Sequence, residues 1–227
     1  MYRLYIANKN YSSWSLRPWV LLRELEIAFD EHLLKFGDAA AWERFRRISP
    51  AGKVPCLLDG ELAVWDSLAI VEYLAERHEG VWPAERAARA WARSATAEMH
   101  SGFSALRNVC SMNCGVRVRL ATLPETLASD VARLSELWQD GLTRFGGPFL
   151  AGSRFTAVDA FYAPVAFRWQ TYDFTLAAEA RAYAERLLAL GPMRQWYREA
   201  LAETFRDKSH DRELLTYGTV TSDSRAA

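Results

Sequence analysis

The chain has 227 residues, enough for one large domain or two small ones at roughly 100–200 residues each. Half of its residues are hydrophobic, with 9 Trp, 9 Tyr and 11 Phe, which excludes a disordered chain. Its 28 basic and 28 acidic side chains cancel. That leaves neither the basic excess of a nucleic-acid binder nor a net charge to steer it to anionic membranes, so the expected partner is a small molecule or another protein.

The N-terminal run Met1-Tyr2-Arg3-Leu4-Tyr5-Ile6 reads as a strand with no secretory apolar core behind it. No stretch approaches the ~18 uncharged apolar residues of a membrane span. Cys56, Cys110 and Cys114 are an odd count without disulfide-framework spacing, so a reducing, cytoplasmic setting is expected. From Trp14 to Leu25 the apolar positions follow a helical period; Phe29 to Leu34 is short and strand-like, and Ala40 to Ile48 is a short helix. Pro55–Leu58 and Leu62–Trp65 flank Asp59-Gly60-Glu61, a hairpin signal. Ser67 to His78 puts Leu68, Ile70, Val71 and Leu74 at helical spacing. The order is β-α-β-α-β-β-α.

Glu79-Gly80-Val81-Trp82-Pro83 interrupts that pattern with a helix-closing Gly and a following Pro. It divides the chain into a domain at residues 1–80 and a second at 86–227. The second reads as all-helical: Ala84–Cys110, Pro124–Phe145, Thr156–Gln170, Ala177–Leu190 and Met193–Thr204, with a polar tail from about Tyr217 expected to fray.

Three segments of the first domain carry chemistry. Ser12, Ser13 and Ser15 lie where a strand gives way to a helix, whose free amides and dipole favour an anion such as a thiolate. Ser49-Pro50-Ala51-Gly52-Lys53-Val54-Pro55 precedes a strand; a cis Pro55 would turn the Val54 backbone outward to pair with an extended peptide. Asp66 and Ser67 open a helix, where Asp66 could take an ammonium and Ser67 a carboxylate. Each segment alone has an ordinary explanation as a cap or a Pro-Gly loop. Together they would serve one peptide-like ligand.

The order YSSWSLRPW, SPAGKVPCLLDG, WDSLAIVEYL resembles the N-terminal domain of cytosolic glutathione transferases. The pattern Ser12-Ser13-Trp14-Ser15-Leu16-Arg17 is most similar to the zeta-like serine members. Phe155-Thr156-Ala157-Val158-Asp159 resembles the family's capping box and hydrophobic staple in the second domain, so the likeness spans roughly residues 2–205. The resemblance implies a thioredoxin-like N-terminal domain followed by an all-helical C-terminal domain. It also implies glutathione as co-substrate and a detoxifying transferase acting on a small electrophile. Ser12 would hydrogen-bond the glutathione sulfur, with Ser13 as its substitute. Val54 would pair with the cysteinyl backbone beside cis Pro55, Asp66 and Ser67 would hold the γ-glutamyl end, and Lys53 would reach the glycyl carboxylate.

Two positions depart from the zeta pattern. Trp14 stands where the maleylacetoacetate isomerases have Cys, and Thr171 where they carry an Arg, one turn beyond Arg168. The glutathione site is therefore carried over and the isomerase substrate is not. Candidates for the opposite pocket wall are Met99, His100, Phe103, Arg107 and Cys110. Cys110 and Cys114 lie one turn apart without the further ligands of a metal site, and Cys56 reads as a buried strand thiol. No Gly-x-Ser-x-Gly elbow or Cys-x-x-Cys is present. The alternatives are a non-catalytic glutathione- or protein-binding module of the same fold, or a glutathione-dependent isomerase. The resemblance also implies a homodimer; sedimentation should show a species about twice the 25.8 kDa chain, and a stable monomer would count against it.

Overall fold

The computed structural model describes residues 1–36 and 41–226. Its first part runs β1 (Tyr2–Ala7), α1 (Ser13–Glu24), β2 (Phe29–Leu34), α2 (Ala41–Arg46), β3 (Cys56–Asp59), β4 (Leu62–Trp65) and α3 (Ser67–Ala75). This is the element order the periodicities predict; only the expected first residue of α2, Ala40, lies outside the described residues. The sheet order is β2-β1-β3-β4, with β1 parallel to β2 and antiparallel to β3. The β3–β4 hairpin closes at Asp59 opposite Leu62, where Gly60 takes a φ of 61° that a side chain would resist. Leu4, Ile6 and Leu57 of the sheet are fully buried together with Leu16, Val20, Ile70, Val71 and Leu74 of α1 and α3. That shared core fixes where α1 begins relative to β1.

The second part comprises α4 (Arg86–Ser101), α5 (Ser104–Val109), β5 (Val116–Leu120), α6 (Glu125–Phe145), α7 (Ala157–Tyr172), α8 (Ala178–Ala189), α9 (Gly191–Ala202), α10 (Lys208–Tyr217) and β6 (Gly218–Asp223). Three expectations are corrected. The helix expected over 84–110 is two helices, broken where Phe103 turns left-handed at φ 53° to bury its ring. The polar tail from about Tyr217 does not fray: it forms β6, directly after α10. The part is thus mostly helical and not all-helical, because β6 pairs antiparallel with β5. Val116-Arg117-Val118-Arg119-Leu120 alternates with period two, the mark of a half-buried strand. Its partner is about a hundred residues away, so no local hairpin signal announces it.

Helix α7 is the axis of this part. All of its residues except Trp169 and Gln170 are buried, and it packs on α1, α4 and α8. Its start is pinned by the expected capping box. Asp159 accepts from the backbone of Leu150 (3.0 Å) and Thr156 (2.9 Å) and from the Tyr183 hydroxyl (2.8 Å). Burial pushes the Asp159 carboxyl up to about 6 against the pull of these donors. Asp159→Ala strands all three donors in the core, at a cost of about 3 kcal/mol or more, so thermal denaturation should show Tm lowered by ~6–12 °C.

Candidate functional site

The site is assembled around the loop that leaves β1. Lys9 in that loop is almost completely buried. Its ammonium pairs with Glu31 of β2 at 2.5 Å and with Glu199 of α9, and lies 5.0 and 5.3 Å from the ring centres of Trp19 and Trp196. The Lys9 amide donates to Glu203 (2.7 Å), and the Trp196 indole donates to the Lys9 carbonyl (2.9 Å). The chain then folds back on itself, with the amides of Tyr11 and Ser12 both donating to the Asn8 carbonyl. The loop is thereby clamped between sheet and α9, and delivers Ser12 and Ser13 to the N-terminus of α1.

The two serines are bonded differently. Ser12 is the N-cap residue of α1, yet its side chain makes no cap bond. Its hydroxyl donates to the Ser15 hydroxyl at 2.7 Å, which in turn accepts from the Ala7 amide. The Ser13 hydroxyl instead accepts from the Arg168 guanidinium of α7 at 3.3 Å. Arg168 also donates to the Cys110 carbonyl. Burial pulls the Arg168 guanidinium down to about 10, which leaves it cationic at neutral pH.

Ser12 and Ser13 line a cavity of about 400 Å³ between the two parts of the chain. Lys53 and Val54 form another side of it, Arg107 of α5 and Arg168 a third, and His210 and Glu213 of α10 a fourth. The Val54–Pro55 bond is cis, the isomer that the sequence motif requires; Val54 is half-buried and Pro55 buried. Asp66 and Ser67 do not line this cavity. Asp66 caps α3, accepting from the Leu68 amide at 2.8 Å with its own φ at 76°, and its other oxygen lies 3.6 Å from His100. Ser67 is buried and accepts from the Arg17 guanidinium at 3.4 Å. Arg17 in turn lies over the Trp14 ring at 4.0 Å and the Phe161 ring at 4.6 Å. Trp14, which also lines the cavity, is thus linked through Arg17 to Ser67.

Of the candidates for the opposite wall, Arg107 reaches the cavity. Met99, Phe103 and Cys110 are buried packing residues, and His100 stands edge-on to Trp14 at 5.4 Å. Burial raises the thiols of Cys56 and Cys110 to about 11 and about 12 and that of Cys114 further still, so none is a thiolate at neutral pH. Sequence reasoning missed Lys9, the contact of Arg168 with Ser13, and the whole contribution of α10. It also passed over Tyr11, whose hydroxyl donates to Asp211 (3.2 Å) and accepts from the Asp207 amide (3.3 Å) and Arg225 (3.2 Å). Burial, with Asp211 adding to it, pushes the Tyr11 phenol up to about 12.

Residues 11–77 match the family model of the glutathione S-transferase N-terminal domain. The chain is 26% identical over 205 residues to the glutathione S-transferase-like protein OpS6 of Beauveria bassiana, covering 83% of this chain and 89% of that relative. It is 23% identical over 194 residues to a probable maleylacetoacetate isomerase of Vibrio cholerae, covering 79% and 88%. Among solved structures, the theta class glutathione S-transferase of Xanthomonas axonopodis pv. citri, with glutathione bound, superposes with a TM-score of 0.63. Its identity is 23%, and the match covers 90% of this chain and 99% of that one. Residues 11–77 thus carry a glutathione S-transferase N-terminal domain, and the chain as a whole shares its fold with glutathione S-transferases.

The clamp on the loop has a measurable consequence. Lys9→Met removes the cation while leaving the carboxylates of Glu31 and Glu199 facing each other across an apolar spacer. Breaking a buried pair by deleting one partner costs about 3–5 kcal/mol, and the partial exposure of Glu199 should bring this to about 2–3 kcal/mol, read from urea unfolding.

Proposed function

We propose that the chain is a glutathione transferase that holds the glutathione thiolate at the N-terminus of α1 and directs it at a small electrophile. Two domains share the work: residues 1–80 hold glutathione, and residues 86–227 shape the electrophile site. The observation that carries this reading is the Ser13 hydroxyl, set at a helix N-terminus in an interdomain cavity with the Arg168 cation bonded to its oxygen. With that oxygen accepting from Arg168, the Ser13 proton is free to be given to sulfur. The Ser12 proton is already given to Ser15. Ser13 is therefore the sulfur partner, and Ser12 the residue that braces the turn. This reverses the order that the motif alone implies.

The magnitudes are sufficient. A free thiol titrates near ~8.5, so only a few per cent is thiolate at neutral pH. Lowering that value by about two units needs ~2.7 kcal/mol of preference for the anion. One hydroxyl donor to a charged sulfur supplies roughly 1.5–3 kcal/mol and the helix end about 0.3–1. The Arg168 cation behind Ser13 adds to both. Val54, presented by the cis Pro55 bond, pairs with the cysteinyl backbone of glutathione, and Lys53 meets the glycyl carboxylate. Asp66 takes the γ-glutamyl ammonium, and Ser67, charged from behind by Arg17, takes the carboxylate beside it.

The protein acts in the cytoplasm as a homodimer, and its role is detoxification. Likeness to a probable maleylacetoacetate isomerase, together with the cations of Lys53, Arg107 and Arg168 around the cavity, favours an isomerase as the second reading.

Retention on glutathione resin and an ultraviolet thiolate difference spectrum of bound glutathione test the proposal. Retention without a thiolate signal at neutral pH would leave only a binding module. Ser13→Ala should abolish the thiolate signal at neutral pH and lower kcat by ~10–150-fold. Ser12→Ala should cost less than about tenfold, and the opposite ranking would restore Ser12 as the sulfur partner.

A further inference from the structure

The α10 wall of the cavity carries a second set of chemical groups. His210, on the first turns of α10, lines the same cavity as Ser12 and Ser13 and is three-tenths exposed. Its ring is fixed on two faces and one edge. Tyr11 stacks against it at 5.2 Å and Phe36 at 5.3 Å, each at 29°. Its Nδ1 lies 2.9 Å from the carboxylate of Asp207. Asp207 is itself held, accepting from the amide and hydroxyl of Ser209 at 2.9 and 2.6 Å. Burial alone would raise the Asp207 carboxyl, but the bonds from Ser209 and His210 outweigh it and leave the group below its usual range.

A carboxylate partner settles the tautomer, since Asp207 accepts only and Nδ1 must carry the proton. The remaining nitrogen, Nε2, has no hydrogen-bond partner among the described residues. A histidine so oriented, with one nitrogen tied to a carboxylate and the other left to a cavity, is the arrangement of an acid–base group and not of a packing residue. The charged groups around it are Asp207, Asp211 and Glu213 on its own helix, Tyr11 and Arg225 packed against them, and Lys53, Arg107 and Arg168 across the cavity. Of the charged side chains lining the cavity, Lys53, Arg107 and Arg168 are cationic against the one carboxylate of Glu213, a balance that suits an electrophile that becomes negative as sulfur attacks.

We infer that His210 is a catalytic acid for conjugate addition of glutathione to an α,β-unsaturated carbonyl compound, with Asp207 as its positioning residue. The inference rests on the glutathione reading above. On binding, glutathione releases its thiol proton to solvent. The thiolate then forms a carbon–sulfur bond at the β-carbon, and the alkene π pair moves to make an enolate on the carbonyl oxygen. Nε2 of the imidazolium gives its proton to that oxygen. The enol relaxes to the saturated ketone adduct, and the imidazole regains a proton from solvent. Nothing is oxidised or reduced, and the adduct carries every atom of both reactants.

Two substrates separate the acid from the thiolate. Benzylideneacetone develops an oxyanion during attack, whereas iodomethane loses iodide and develops none. His210→Phe keeps a ring between Tyr11 and Phe36 but removes both nitrogens. It should lower the ratio of kcat on benzylideneacetone to kcat on iodomethane by about 10–100-fold, with the thiolate spectrum and the KM for glutathione retained. Asp207→Asn, which keeps a helix-capping side chain, should lower the same ratio less, and it carries the test should His210→Phe not fold. An unchanged ratio in Asp207→Asn and a folded His210→Phe, or equal loss on both substrates, overturns the inference. So does a wild-type protein that forms the thiolate and methylates it without consuming the enone; the transferase reading would survive that result. A wild-type protein with no thiolate signal removes the glutathione reading, and this inference with it.

Discussion

A single ammonium ties the two halves of this protein together. Desolvating a lysine costs several kcal/mol unless it is paired and hydrogen-bonded, and Lys9 is shielded by two carboxylates and two indole faces. Those partners come from different places: Glu31 from β2, Trp19 from α1, and Glu199 and Trp196 from α9. Satisfying the charge therefore requires the sheet, the first helix and a late helix of the second domain to be in place together. Such an ion pair adds little stability over a well-packed apolar substitute, but it admits few alternative arrangements. What it fixes is the path of residues 8–12, and so the position at which α1 starts.

That start matters because the chemistry we propose is electrostatic. The helix N-terminus, the Ser13 hydroxyl and Arg168 all act on the same small volume. Two of the three are set by burial: Arg168 is enclosed between α1, α7 and the Cys110 carbonyl, and α1 begins inside the core. Preorganised donors of this kind need no rearrangement when an anion arrives, which is where their advantage over water lies. Arg17 plays a parallel part at the other end, lying across Trp14 and donating to Ser67. Trp14 is thus more than core packing: it carries the cation that serves the Ser67 hydroxyl. A Cys at this position would leave Arg17 without that aromatic face.

The first domain was legible because its signals are local. Alternation, the Asp59-Gly60-Glu61 turn and the Val54-Pro55 motif lie within a few residues of what they specify, and the capping box at Thr156 and Asp159 is equally short-ranged. The second domain hid what depends on distance. The strand at Val116–Leu120 alternates visibly, but its meaning depends on a partner beyond Tyr217, a stretch whose polarity reads as fraying. Ser12 and Ser13 are neighbours with the same side chain, made unequal by the bond of Ser12 to Ser15 and by that of Ser13 to Arg168, 155 residues on. The motif by itself puts Ser12 first, because the contact that favours Ser13 lies outside it. Lys9 went unnoticed for the same reason, since three of its four partners are remote in sequence.

The polar tail closes the site by the same logic that built it. Arg225 bonds Asp223, Asp211 and Tyr11 at once, Asn113 adds a third donor to Asp211 beside Arg225 and Tyr11, and the β5–β6 pairing holds the segment that carries Arg225. Individually these exposed or half-buried bonds are weak. As a network they share one acceptor, Asp211, and one buried phenol, Tyr11, so losing Asp211 strips a partner from Tyr11, Asn113 and Arg225 together. Tyr11 is the link back to the first domain: it precedes Ser12 directly, and its ring stacks on His210. The hydroxyl of the residue before the serine pair is committed to docking α10. The fourth wall of the cavity exists because that tyrosine is spent on structure.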